Sequence, residues 1–421
     1  MIFKYFFSVF LILSANSYAQ SSKFELGRSL FFDKLLSGNR NISCATCHHP
    51  LTANGDGLSL GFGEGGVGLG ITRNFNDKVH GRVPRNAPAL FNVGQSFVTK
   101  YFFDGRVEFD IEYPGGIKSP ADNNLPEGLE SLLAAQSIFP LTSGIEMAGD
   151  KGENDIADFA STGDHRGVWG VVVGRVKSIE EYVELFVNSF PNQIKTSADI
   201  QIHHVGNALA DFQKKAFIAD DSPFDRYLEG DKSSLSASQI SGMNIFYGKG
   251  KCSQCHTGKY QTDMKFHSIA LPPIGPGKGV GFNLQDDWGR YLVTKKKSDK
   301  YKFRTPSLRN VSVTAPYGHN GAYNSLEDIL IHHMNPKQSL SRYKKSKAAL
   351  PELKGANDFT VLSNNNVMND ILLSSNLPEI NISKNETSDL LSFLTALTDF
   401  RCLDMRKFVP QKVPSGLPIN D

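Results

Sequence analysis

The pentad Cys44-Ala45-Thr46-Cys47-His48 returns in pattern as Cys252-Ser253-Gln254-Cys255-His256. Two thiols three residues apart can add across the two vinyl groups of one haem, and the histidine after the second thiol then becomes the proximal iron ligand. Two unrelated zinc half-sites are the rival reading, but neither copy has a second Cys or His pair at zinc spacing. The repeat therefore specifies two covalent c-type haems, held through Cys44, Cys47, Cys252 and Cys255, with His48 and His256 on the irons. The sixth ligands then decide what the irons do.

The 421 residues predict two domains or three. Four of the five cysteines are committed to haem, so no disulfide framework is available; Cys402 reads as a buried or half-buried free thiol, with an intermolecular bridge as the alternative. A net charge of +2 and no long basic run exclude a nucleic-acid partner. Residues 1–19 have the form of an export signal: Lys4, an apolar run from Tyr5 to Leu13, and Ser17-Tyr18-Ala19 as a small-x-small cleavage site. The run is too short for a membrane span, and no cysteine follows it to carry a lipid, so no membrane anchor is expected. The expected location is the periplasm, where c-type haem is attached.

Hydrophobic spacing predicts helices over 24–32, 179–186, 200–217, 236–246, from Ser325 onward, and over 384–397. Ser325 and Asp328 form an acidic variant of the capping box. The stretch from Pro50 to Gly70 is glycine-rich and reads as irregular backbone over a haem face; 113–164 reads as a second irregular region, and 270–282 as a polar Gly/Pro-rich loop. Lys295-Lys296-Lys297 reads as a solvated loop or as a docking point for an acidic electron donor. Strand-like alternation is scarce, so the expected class is mainly α with long loops.

Two neighbourhoods offer a sixth ligand. His332, His333 and Met334 share the helix that begins near Ser325, and adjacent residues point about 100° apart. His80 follows the glycine-rich loop of the first motif.

Nearly the whole chain beyond the leader resembles the bacterial di-haem cytochrome c peroxidase and MauG superfamily. The matching segments include Ser43 to His48, Asn86-Ala87-Pro88-Ala89-Leu90-Phe91-Asn92-Val93, Phe103-Asp104-Gly105-Arg106, Glu146-Met147, Cys252 to His256, Thr305 to Val311, Thr314-Ala315-Pro316-Tyr317 and Asn320-Gly321. Phe139 to Met147 resembles the MauG-like branch more than the standard peroxidases. The resemblance implies two cytochrome c-like haem domains: an N-terminal peroxidatic domain over 20–218, a C-terminal electron-transfer domain over 219–345, and an extension over 346–421 whose helix returns to the first domain. It implies Glu146 as distal acid/base of the N-terminal haem, because peroxide must lose a proton from one oxygen and gain one on the other. It implies a calcium ion held by Asn86, Thr314 and Pro316, an oxygen-rich set that suits that cation.

Two departures stand out. Nineteen residues beyond the Thr of Thr-Ala-Pro, the family carries Met in peroxidases or Tyr in the MauG type; here the count from Thr314 reaches His333. The inter-haem tryptophan before Asp-Gly-Arg is Phe103, which is far harder to oxidise. The spacing of His80 to Asn86 is six residues, close to the eight seen where a distal His must be displaced. The implied activity is reduction of hydrogen peroxide with electrons from a small cytochrome c or cupredoxin. The alternatives are peroxide-driven oxidation of a side chain on a partner protein, as in MauG, and a pure di-haem electron carrier.

Overall fold

The computed structural model describes residues 21–75, 79 and 81–419. The leader and His80 lie outside the described residues. The fold is mainly α, with 44% helix and 5% strand. The strands form two- and three-stranded antiparallel patches, such as Lys100–Tyr101 with Val107–Phe109 and Ile117–Lys118. Among the described residues no helix is long and apolar enough to cross a membrane.

Two hydrophobic cores organise the chain, and each is built by the same device. In the first, the Ser22–Phe32 helix crosses the Ile202–Ala216 helix at Gly27, where a Cβ would stand 2.0 Å from the Ala208 carbonyl oxygen. Phe24, Phe31, Phe212 and Phe217 interleave around that crossing, with centroids 5.1 to 5.7 Å apart in the pairs Phe24–Phe212, Phe31–Phe212, Phe31–Phe217 and Phe212–Phe217. In the second, the Ala237–Tyr247 helix crosses the Lys384–Thr395 helix at Gly242, where a Cβ would stand 1.9 Å from the Asp389 carbonyl oxygen. Only glycine lets the backbones approach so closely. In each half the glycine-bearing helix precedes a Cys-x-x-Cys-His motif, across a 3-10 turn and loop in the first and a few residues in the second.

The last helix departs from the expectation that it returns to the first domain. Its apolar face, Leu390, Phe393 and Leu394, joins the second core because Gly242 gives it a groove there. The segment beyond it makes the return: Cys402, Met405, Phe408 and Val413 pack into the first core. Cys402 is 5% exposed, its Sγ donates to the Ile218 carbonyl at 3.3 Å, and burial pushes the thiol up to about 11. A buried, protonated thiol is poorly suited to an intermolecular bridge.

The region 113–164, expected to be irregular, holds helices over Leu132–Ser137 and Asp155–Ser161 and a π-turn over Gly144–Ala148. The His165–Lys177 helix was also unexpected. Its three glycines obscure the pattern, yet Val168, Val172 and Val176 recur every fourth residue and are buried, and Asp164 caps it by accepting from the Gly167 N–H at 2.9 Å. At Ser325 only half of the capping box forms: its hydroxyl accepts from the Asp328 N–H at 3.4 Å, while the Asp328 carboxylate pairs with Lys347 at 2.5 Å.

The two cores are clamped together by ion pairs. Arg85 bridges Asp104 at 2.6 Å and Asp287 at 2.8 Å, and Arg290 reaches Glu108 at 2.7 Å. The two guanidiniums and their three carboxylate partners are nearly buried, so losing one partner would strand an uncompensated charge.

Candidate haem sites and the Glu146 cavity

The two pentads fold alike. Cys44–Cys47 is one helical turn, closed by His48 N–H to Cys44 O at 3.0 Å and preceded by the Ser43 N–H bonded to Thr46 Oγ1 at 3.0 Å. Cys252–Gln254 is a tighter 3-10 turn, closed by His256 N–H to Cys252 O at 2.9 Å. In both, the ring is anchored from behind: His48 Nδ1 meets the Asn54 carbonyl at 3.0 Å and His256 Nδ1 the Gln261 carbonyl at 3.0 Å. A carbonyl on Nδ1 fixes that nitrogen as the protonated one and leaves Nε2 with its lone pair, the arrangement metal-bound imidazoles use. Burial lowers both imidazoles' proton affinity, to about 4 for His256, so both rings are neutral donors near pH 7.

Opposite His256 stands His333. The two ring centroids are 6.4 Å apart, and His333 Nδ1 is likewise anchored, on the Ile329 carbonyl at 2.8 Å. With metal–imidazole bonds of about 2.0–2.1 Å and ring centres roughly 1.1 Å behind each nitrogen, one shared metal would separate the centroids by roughly 6.3 Å. The residues present therefore fit a haem gripped between two histidines. His332 is turned away: its Nε2 bonds the Ile269 carbonyl at 2.7 Å and its Nδ1 meets the Tyr323 hydroxyl at 3.0 Å. Met334 belongs to the second core with Ile329 and Leu330 and also borders the cavity that His333 lines. Cys252, Cys255, His256 and His333 line one cavity of about 350 Å³.

Phe103, Asn86, Thr314 and Pro316 line the same cavity. The Asn86 amide nitrogen is spent on the carbonyls of Leu58 at 2.8 Å and Ser59 at 3.3 Å, which leaves its oxygen as the atom available to a cation. Near the second motif, Cys255, Asp263 and His267 bring ligand atoms within 4.8 Å of one another. The first motif has no such counterpart among the described residues, so this does not make a zinc pair of the two pentads.

The loop that follows the first motif packs against something different. The Gly144–Ala148 π-turn packs against the glycine-rich loop that follows His48: Glu64 N–H bonds the Ile145 carbonyl at 3.2 Å, and a Cβ on Gly63 would lie 2.1 Å from that oxygen. From the other side Gly38 N–H bonds the Met147 carbonyl at 2.8 Å. The turn thereby lodges Glu146, with Arg106, Tyr113, Lys118, His165 and Lys278, in the wall of a cavity of about 640 Å³. Burial pushes the Glu146 carboxyl above its ordinary value; Arg106, Lys278 and Arg85 pull it back without cancelling the rise. A carboxyl raised in this way holds and releases a proton closer to neutrality than a surface one. Lys278 and His165 were not among the sequence candidates. Both come from segments distant in sequence, and only the fold carries them here.

Residues 21–233 match the family of di-haem cytochrome c peroxidases. The chain is 31% identical over 334 residues to cytochrome-c peroxidase IdrP1 of Pseudomonas sp. (strain SCT), covering 74% of this chain and 71% of that protein. It is 32% identical over 312 residues to the methylamine utilization protein MauG of Methylorubrum extorquens, covering 74% and 68%. In fold it is similar to a MauG-like protein associated with microbial copper homeostasis, with a TM-score of 0.62 at 23% identity over 93% of this chain and 94% of that one.

Proposed function

The chain belongs to the di-haem cytochrome c peroxidase family, and from that premise we propose that it reduces hydrogen peroxide to water in the periplasm, with electrons from a small cytochrome c or cupredoxin. The observation that carries this reading is the asymmetry of the two haem sites: His333 stands opposite His256, whereas the cavity behind the first motif's loop presents Glu146.

Haem, when bound, supplies the iron that takes up peroxide and passes single electrons. The chain's own residues do the rest. His48, fixed by Asn54, would hold the first haem through Nε2, and Cys44 and Cys47 would tether it. Glu146 would accept the proton of the incoming peroxide and return one to the departing oxygen, work typically contributing ~10²–10⁴-fold. His256 and His333 would hold the second haem at both faces and leave no position for peroxide, which suits electron relay. Asn86, Thr314 and Pro316 would hold calcium through oxygens. The Lys4 to Ala19 leader supports export.

MauG-like oxidation of a partner protein's side chain is the second reading; His333 in place of a methionine ligand and the Phe139 to Met147 segment favour it. One experiment separates the readings. Peroxide is added to the oxidised protein in a stopped-flow spectrophotometer, with and without a reduced small cytochrome c. Peroxide-dependent oxidation of the cytochrome, slowed in Glu146→Gln, is the expected result. A prompt spectral change without cytochrome turnover points to the protein-modifying reading. No reaction in either oxidised or half-reduced protein leaves an electron carrier and overturns the proposal.

A further inference from the structure

We propose that Lys278, supplied by the C-terminal half of the chain, is a positioning residue of the Glu146 cavity: its ammonium stands as an unneutralised positive charge that holds Glu146 in its working protonation range. The inference rests on the reading of Glu146 as the acid/base group.

Lys278 and Glu146 line the same cavity, though they lie on opposite sides of the two-core division. The two arginines that act on Glu146 beside Lys278 are already compensated. Arg85 is shared by Asp104 and Asp287, and Arg106 pairs with Asp104 at 3.1 Å while stacking on Phe102 at 3.6 Å. Lys278 closes no ion pair with any described residue, and its charge is felt by Glu146 and Asp287 as favourable and by Arg85 and Arg106 as unfavourable. Lys118, Asp122 and His165 complete the charged and titratable lining.

Its backbone is locked. Lys278 N–H bonds the Asp286 carbonyl at 2.9 Å and Asp286 N–H returns to Val280 at 3.0 Å. The preceding Gly277 has φ +65°, and a Cβ there would lie 2.2 Å from the Gln285 carbonyl carbon. Asp287 at the end of this hairpin is clamped by Arg85, so the lysine is delivered by the same contact that joins the two cores. Of the two carboxylates that feel its charge, Asp287 is already held by Arg85, so a long side chain on this fixed base is placed to act on Glu146. Burial and neighbouring arginines lower its own proton affinity.

The test is an infrared pH titration of the oxidised holoprotein, following the protonated-carboxyl band that Glu146→Gln removes. This readout needs no peroxide, so it stands apart from failure of the peroxidase reading. Removing a nearby positive charge disfavours the carboxylate, so Lys278→Met and Lys278→Gln should both move the Glu146 midpoint upward by about one pH unit. Lys278→Arg should hold it near wild type. An unchanged midpoint in the Met and Gln variants, or an Arg variant that behaves like them, overturns the proposal.

Discussion

The two haem-binding halves share their scaffolding and differ in what the chain assembles beside each motif. Each has a helix pair crossed at a glycine, Gly27 with Ala208 and Gly242 with Asp389, a thiol turn closed onto its first cysteine, and a proximal ring anchored by a carbonyl a turn downstream. In the second half the opposite face is another anchored imidazole. The first half instead has a polar cavity walled by a raised carboxyl and charges from both cores. One scaffold thus carries a paired imidazole in one half and a charged cavity in the other, and the difference lies in a helix over Leu326–Met334 and a five-residue π-turn.

The difference between the halves should show most strongly at Glu146. Glu146→Gln keeps the shape and removes the proton, so the rate of the peroxide-induced spectral change should fall by ~10²–10⁴-fold, with the second haem's spectrum unaltered. A wild-type rate would reduce Glu146 to a structural carboxylate. The shared scaffolding is tested next. Gly27→Val and Gly242→Val each force a side chain onto backbone at a helix crossing, and each should cost about 1–3 kcal/mol or more in denaturant unfolding. Neutrality of either would end the equivalence of the two halves.

His333→Met should exchange an imidazole ligand for a thioether, bring up a weak red-end absorption band and raise the potential of the second haem. Met334→Leu should do neither, and a band lost in that variant would transfer the ligand role to Met334. The smallest effect concerns stability. Because burial raises the Glu146 pKa above its unfolded value, the folded state holds that proton more tightly than the unfolded chain. The group therefore favours the fold at low pH and loses that contribution as pH rises through its folded pKa. Glu146→Gln should leave the melting temperature at about pH 4 close to wild type and raise it slightly at about pH 8; a drop at the higher pH would contradict the assigned direction.

Part of the second half's arrangement was legible in the sequence. The pentads name the thiols and the rings that follow them by chemistry alone, and the family's nineteen-residue count from Thr314 lands on His333, whose ring centroid lies 6.4 Å from that of His256. Less of the Glu146 cavity was readable. Glu146 entered through a motif, but Lys278 and His165 reach it through long-range packing that no local spacing encodes. The His165–Lys177 helix hid behind Gly167, Gly170 and Gly174, although its valines kept helical period. The last helix was assigned to the wrong core because its apolar face fits either one on pattern; the groove at Gly242 decides.

The asymmetry of the two haems is read most directly from the electron paramagnetic resonance spectrum of the oxidised holoprotein, taken for wild type and His333→Gly. Wild type should show one high-spin and one low-spin haem, with the low-spin signal lost in the variant. Two low-spin haems in wild type, with one released by His80→Gly rather than by His333→Gly, would contradict that asymmetry.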